Sequence, residues 1–265
     1  MKICIVGKSK RLQILENNLN NADFMVQTVT SFDEFDNISD ADYIVLPIPT
    51  LNRDGFLNLE GGQNITLESL INHISEKSTV ISCGFKCTRH KFIDLNARED
   101  FAYLNAIPTA EGAILYALQN TERSLFESNI LITGFGRVAK LLADRLRGLS
   151  NTVTIAARSL RDLSYAEALG FNTIQISNLD NQAHQFDLIF QTVPSLIITS
   201  ELIDLLRKDC VIIELSSRSA GTDFNYAQSK GIYVVHAPAL PEKISPITAG
   251  NILTQSVLSI ITETK

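Results

Sequence analysis

The chain has 265 residues, 45% of them hydrophobic and 20% charged, with a formal net charge of −6. That length suits one large or two modest globular domains, the acidic balance argues against a nucleic-acid partner, and no apolar run reaches the ~18 residues of a membrane helix. Met1-Lys2-Ile3-Cys4-Ile5-Val6 enters a strand pattern at once, so no signal peptide is expected and the expected location is cytoplasmic. The four cysteines read as reduced thiols and no metal is expected.

In chain order, short apolar runs predict strands at 2–6, 24–29, 43–46, 79–82 and 101–104, and helical spacing predicts helices at 9–19, 66–74 and 88–96. Residues 52–64 are a polar, glycine-containing loop. Gly7-Lys8-Ser9 carries no second glycine at the required spacing and reads as an ordinary strand-to-helix turn. Pro108-Thr109-Ala110-Glu111-Gly112 predicts the start of a helix running to about Gln119. Thr109 suits its N-cap and Glu111 its first turn.

Beyond this point the alternation repeats. Strands are predicted from Ile130, Thr152 and Thr173, at 187–191 and 211–215, and from Tyr233, and a last helix is predicted over about 246–262. Alternation of this kind predicts an α/β protein with two doubly wound parallel sheets. Residues 1–122 are read as a flavodoxin-like first domain and 123–245 as a Rossmann dinucleotide-binding domain. The C-terminal helix, 246–265, is expected to return to the first domain.

The strand at Ile130 is followed by Gly134-Phe135-Gly136-Arg137-Val138-Ala139 and then a helical pattern. This is the strand, turn and helix context of a dinucleotide fingerprint. The first glycine permits the tight turn, the second lets backbone approach a pyrophosphate, and Ala139 keeps the helix close to the sheet. The alternative is a nucleotide-free glycine turn. The next strand ends not in an acid but in Ala157-Arg158-Ser159, with Arg161 behind. A guanidinium and a hydroxyl there suit a 2′-phosphate, so the expected cofactor is NADP. Thr192-Val193-Pro194 is either a wall of the cofactor site or a proline-ended strand, and Ser216 opens the loop after residue 215. Arg218, in that loop, is a candidate for holding a substrate carboxylate. His236 is either a proton carrier or structural.

Asn105-Ala106-Ile107-Pro108-Thr109-Ala110-Glu111-Gly112-Ala113-Ile114 resembles the signature of the family formed by the A subunits of dipicolinate synthase. So do Gly134-Phe135-Gly136-Arg137, Ala157-Arg158-Ser159, Thr192-Val193-Pro194-Ser195, Gly221-Thr222-Asp223-Phe224 and Thr248-Ala249-Gly250. The resemblance implies NADP-linked oxidation of dihydrodipicolinate to dipicolinate, the pyridine dicarboxylate of bacterial spores. It also implies a partner subunit that is a flavoprotein. A homodimer is a further expectation.

On these grounds Arg218, Glu111 and Asp223 are the candidates for catalysis, with Glu111 read either as a base or as a helix cap. Ser82, Gly84, Asn105, Thr109, Arg218 and Thr248 are assigned to the small dicarboxylate. Gly134, Phe135, Gly136, Arg137 and Val138 are assigned to the cofactor, with Arg158, Ser159, Arg161, Thr192, Val193, Pro194 and Ser216. The chain departs from the family at Ser219-Ala220, Glu242 and Ile247, where the family carries Pro-Gly, Gly and Lys. The other readings are a dehydrogenase or reductase of another small carboxylic acid, or a non-catalytic NADP-binding subunit.

Overall fold

A computed structural model of the chain describes every residue except 60, 62, 63, 89, 217–220 and 265. It divides into two compact units, Met1–Asn105 with Ser245–Lys265, and Ala106–Ile244.

In the first unit, β1 (Lys2–Val6), β2 (Met25–Val29), β3 (Tyr43–Val45), β4 (Thr79–Ser82) and β5 (Lys91–Asp94) form one sheet in the order β2-β1-β3-β4-β5. Every pairing is parallel. Both faces are therefore covered, and β1 shows how. Its Ile3 and Ile5 pack with Leu12, Leu15 and Leu19 of α1 (Lys10–Asn21), while Cys4 and Val6 pack on the other face with Phe35, Ile38 and Leu70. Leu70 belongs to α2 (Leu67–Ile71).

Residues 91–94 form an edge strand where a helix was expected, because Asp94 turns the chain there. Its carboxylate accepts from the Gly84 and Asn96 N–H groups at 2.8 and 3.0 Å. Residues 101–104, expected as a strand, lie in the 22-residue helix α3 (Glu99–Asn120). Acidic Glu99 and Asp100 open it, where they favour the helix dipole. Phe101 is buried in the first core. Ala110, Ala113 and Ala117, on one helical face, are buried in the core of the second unit, so the division of the chain falls inside α3. Thr109 is therefore mid-helix and no N-cap, and Glu111 stands in no first turn. Pro108 is buried within the helix and has no N–H for the Leu104 carbonyl; the buried alanine face carries the helix past it.

The second unit has β6 (Asn129–Thr133), α4 (Arg137–Leu146), β7 (Thr152–Ala157), α5 (Leu160–Ala168), β8 (Asn172–Gln175) and β9 (Leu188–Gln191). Then come α6 (Ser200–Leu205), β10 (Val211–Glu214), α7 (Phe224–Ser229), β11 (Tyr233–His236) and α8 (Leu240–Ile244). The sheet order is β11-β10-β9-β6-β7-β8, all parallel, which is the doubly wound Rossmann order. The strand order reverses between β6 and β9, and ligands bind outside the carboxyl ends at such a switch. Ile130 and Ile132 face α4 through Ala139, Leu142 and Leu146, and Leu131 faces Leu202 and Ile203 of α6.

The last helix, α9 (Pro246–Thr264), belongs to the first unit. Leu253, Val257, Ile260 and Ile261 recur at helical spacing and are buried with Ile3, Ile5 and the α1 leucines. Among the described residues no helix is long and apolar enough to cross a membrane.

Candidate functional site: the carboxyl edge of the second sheet

β6 ends at Thr133, and Gly134 turns the chain with φ +80. Its N–H donates to the Ala156 carbonyl at 2.6 Å, tying the turn to β7. A Cβ at Gly134 would lie 2.6 Å from Cγ2 of Val193 and 3.2 Å from Oγ1 of Thr192. Only glycine meets both the dihedral and the space. Gly136 is the N-cap of α4 and brings no side-chain oxygen to the helix start. A Cβ there would meet no atom within 4 Å. The leading N–H groups of α4 thus face an open approach, as a pyrophosphate requires. On these observations the residues fit a bound dinucleotide.

Phe135 takes its side chain the other way. It is buried, with edge contacts to Tyr165 and Phe171 at 6.0 and 6.4 Å, so only its backbone faces the turn. Arg137 and Val138, in the first turn of α4, are half-buried. Arg158 stands exposed one residue beyond β7, and Ser159 caps α5 by accepting from the Asp162 N–H at 3.3 Å. Arg161 is exposed in the first turn of α5.

On the other side of β6, Thr192 donates its hydroxyl to the Thr133 carbonyl at 2.6 Å. Val193 N–H donates to Gln191 Oε1 at 2.9 Å, and Pro194 is exposed. The Thr-Val-Pro segment both follows the end of β9 and packs on the glycine turn.

A buried polar row underlies these loops. Thr133, Gln191, Glu214 and His236 are register partners at the last ladder position of β6, β9, β10 and β11. Thr133, Gln191 and Glu214 are fully buried. The Thr133 hydroxyl donates to Gln191 Oε1, and Gln191 Nε2 donates to the Ser195 carbonyl at 3.4 Å. Glu214 accepts from the Ser216 N–H at 3.1 Å on one oxygen and from the Thr222 hydroxyl at 2.7 Å on the other. Burial pushes the Glu214 carboxyl above its ordinary value, against the pull of the Ser216 and Thr222 donors. The sequence reading missed Gln191 and Glu214. Their signal was a single polar residue closing an otherwise apolar strand, Ile189-Phe190-Gln191 and Ile212-Ile213-Glu214.

The remaining expected site residues are held in other ways. Ser216 is buried, and Arg218 lies outside the described residues. Asp223 caps α7 by accepting from the Tyr226 N–H at 3.0 Å. Glu111 is exposed and ion-paired with Arg145 at 3.4 Å. In the first unit, Ser82 is fully buried and donates to the Phe85 carbonyl at 2.5 Å. The Gly84 N–H is taken by Asp94. Asn105 is half-buried in α3, and Thr248 is exposed in the first turn of α9.

The two sheets and the glycine turn define the chain as an α/β protein with the fold of NAD(P)-dependent dehydrogenases. That fold is shared with the NAD-dependent formate dehydrogenase of Staphylococcus aureus, at 13% identity and TM-score 0.62 over 100% of this chain and 95% of that one. Among individual proteins the likeness is to the A subunit of dipicolinate synthase. The Bacillus subtilis (strain 168) protein is 32% identical over 175 residues, 66% of this chain and 59% of that protein's length. The crystal structure of the Bacillus halodurans protein matches 98% of this chain and 97% of its own at TM-score 0.85 and 28% identity. The Bacillus subtilis crystal structure matches 99% and 96% at TM-score 0.86 and 25% identity. No family model matches. In sequence and in fold the chain is like the A subunit of dipicolinate synthase.

Proposed function

We propose that the chain is the NADP-binding A subunit of a dipicolinate synthase, working with a flavoprotein subunit to oxidise dihydrodipicolinate to dipicolinate. The observation that carries this reading is the uncapped start of α4 behind Gly136, with Arg158 exposed at the end of the neighbouring strand. Backbone N–H groups there meet the pyrophosphate, and the Arg158 guanidinium with the Ser159 hydroxyl meets a 2′-phosphate. When bound, the nicotinamide supplies the hydride acceptor for a reaction that removes a hydride and a proton and aromatises the ring. Arg218 is the residue proposed to hold one substrate carboxylate. Thr109, in the middle of a helix, offers no helix-start N–H groups to the second.

Glu111 is in an ion pair and Asp223 is a helix cap. Neither is an idle base, and that favours one second reading, a non-catalytic NADP-binding subunit. The discriminating assay follows dipicolinate formation by ultraviolet absorbance from freshly generated dihydrodipicolinate, with NADP+ or NAD+, with and without the flavoprotein subunit. Faster product with NADP+ is the expected result. No rate above spontaneous oxidation in any combination, with NADP+ still bound, transfers the case to the non-catalytic reading.

A further inference from the structure

Gln191 ends β9 in the buried polar floor beneath the loops, and its side chain is fully buried. An amide oxygen has two lone pairs, and here both are taken. The Val193 N–H donates to it at 2.9 Å, and the Thr133 hydroxyl donates to it from the last residue of β6. That hydroxyl in turn accepts from the Thr192 N–H at 3.2 Å. The first two N–H groups of the turn at 192–195 thus both end on one oxygen, one directly and one through Thr133. The amide nitrogen is held as well. It donates to the Ser195 carbonyl at 3.4 Å, and a Cβ on Gly221 would fall 2.0 Å from it, so backbone closes that side. An apolar residue at 191, as the preceding Leu188-Ile189-Phe190 would continue, fills the space but leaves these donors without their acceptor.

What the amide holds is in contact with the glycine turn. A Cβ on Gly134 would lie 2.6 Å from Cγ2 of Val193, so the Gly134 backbone rests against that side chain. The Thr192 hydroxyl donates at 2.6 Å to the Thr133 carbonyl, in the peptide that leads into Gly134. Two residues later comes Gly136, the open start of α4. Given the dinucleotide reading above, on which this rests, we infer that Gln191 is a positioning residue of the dinucleotide site. It touches no cofactor. Its amide sets the turn at 192–195, and through Val193 and Thr133 that turn sets the glycine turn and the N–H groups behind it.

Gln191→Met keeps the length of the side chain and removes the amide, and thermal melts confirm that it folds. Hydrogen exchange without cofactor should show the Thr192 and Val193 amides opening about tenfold faster or more. Calorimetry should show NADP+ and NAD+ both weakened about 5–10-fold, the loss of one hydrogen bond. The factor is the same for the two because the glycine turn serves the pyrophosphate that both carry. Gln191→Met with Val193→Ala should bind no more weakly than the weaker single variant, since one acts through the other. A Gln191 that only stabilises the sheet would lower the melting temperature and leave the Kd of the folded protein unchanged. If Gln191→Met does not fold, Thr133→Val, which keeps shape and removes the hydroxyl between Thr192 and Gln191, replaces it. Unchanged exchange at Val193, an unchanged Kd, full additivity, or a loss confined to NADP+ would each overturn the inference alone. A wild-type protein that binds neither NADP+ nor NAD+ overturns the dinucleotide reading together with it.

Discussion

Two glycines two residues apart do different work, and substitution separates them. Gly134→Ala places a Cβ 2.6 Å from Val193 in a positive-φ turn and should cost about 1–3 kcal/mol of stability, read by denaturant melts. Gly136→Ala meets no protein atom. It should stay within about 1 kcal/mol of wild type, yet weaken dinucleotide binding tenfold or more, because the new methyl stands where backbone meets pyrophosphate. Arg158→Ala should raise the Kd for NADP+ about 10–100-fold and leave that for NAD+ nearly unchanged; equal effects on both would remove the 2′-phosphate role. Glu214 makes a prediction in pH. Its folded value is raised by burial, so the stability tied to it is fully present below the ordinary carboxylate value and is lost as pH rises through the raised one. Thermal melts from about pH 4 to 8 should show that decline in the wild type and its loss in Glu214→Gln.

The elements divide by how local their causes are. β1 and β4 are legible because each is a short run with a β-branched, apolar centre buried on both faces. The fingerprint turn is legible because its glycines answer a local dihedral and a local contact. Residues 101–104 mislead because Phe101 and Tyr103 favour strands in isolation, while the helix they join is held by alanines far along it that pack in another core. Pro108 misleads in the same way, looking like a start when tertiary packing carries the helix through. The polar floor was invisible because its meaning lies in register: Gln191 and Glu214 are 23 residues apart in sequence and directly paired in the sheet. The last turn of α9 is tied down by an ion pair across elements. Arg98 grips both Glu263 oxygens at 2.6 and 2.8 Å, and also binds Asp100. The guanidinium brings the Glu263 carboxyl down to about 2, so this tie is present above the ordinary carboxylate range and is lost only as pH falls through about 2. Arg98→Ala should speed amide exchange in the last turn of α9 while leaving its buried middle protected.

At the scale of the whole molecule, the first unit is assembled from the two ends of the chain, with residues 106–244 between them. Leu253, Val257, Ile260 and Ile261 of α9 each contribute about 1.5–3 kcal/mol by burial, together comparable with the whole stability of a domain, about 5–15 kcal/mol. A chain ending at residue 244 should therefore lose the dispersed amide signals of the first unit in a two-dimensional NMR spectrum. Persistence of those signals would mean that the first sheet stands without its last helix. The same arrangement sets an order of events on the ribosome. Residues 106–244 emerge with everything their own core contains, while the earlier-made sheet of β1 to β5 waits with an apolar face uncovered until α9 leaves the exit tunnel. The half synthesised first is the half completed last, and in that interval it is the part of the nascent chain most in need of a chaperone.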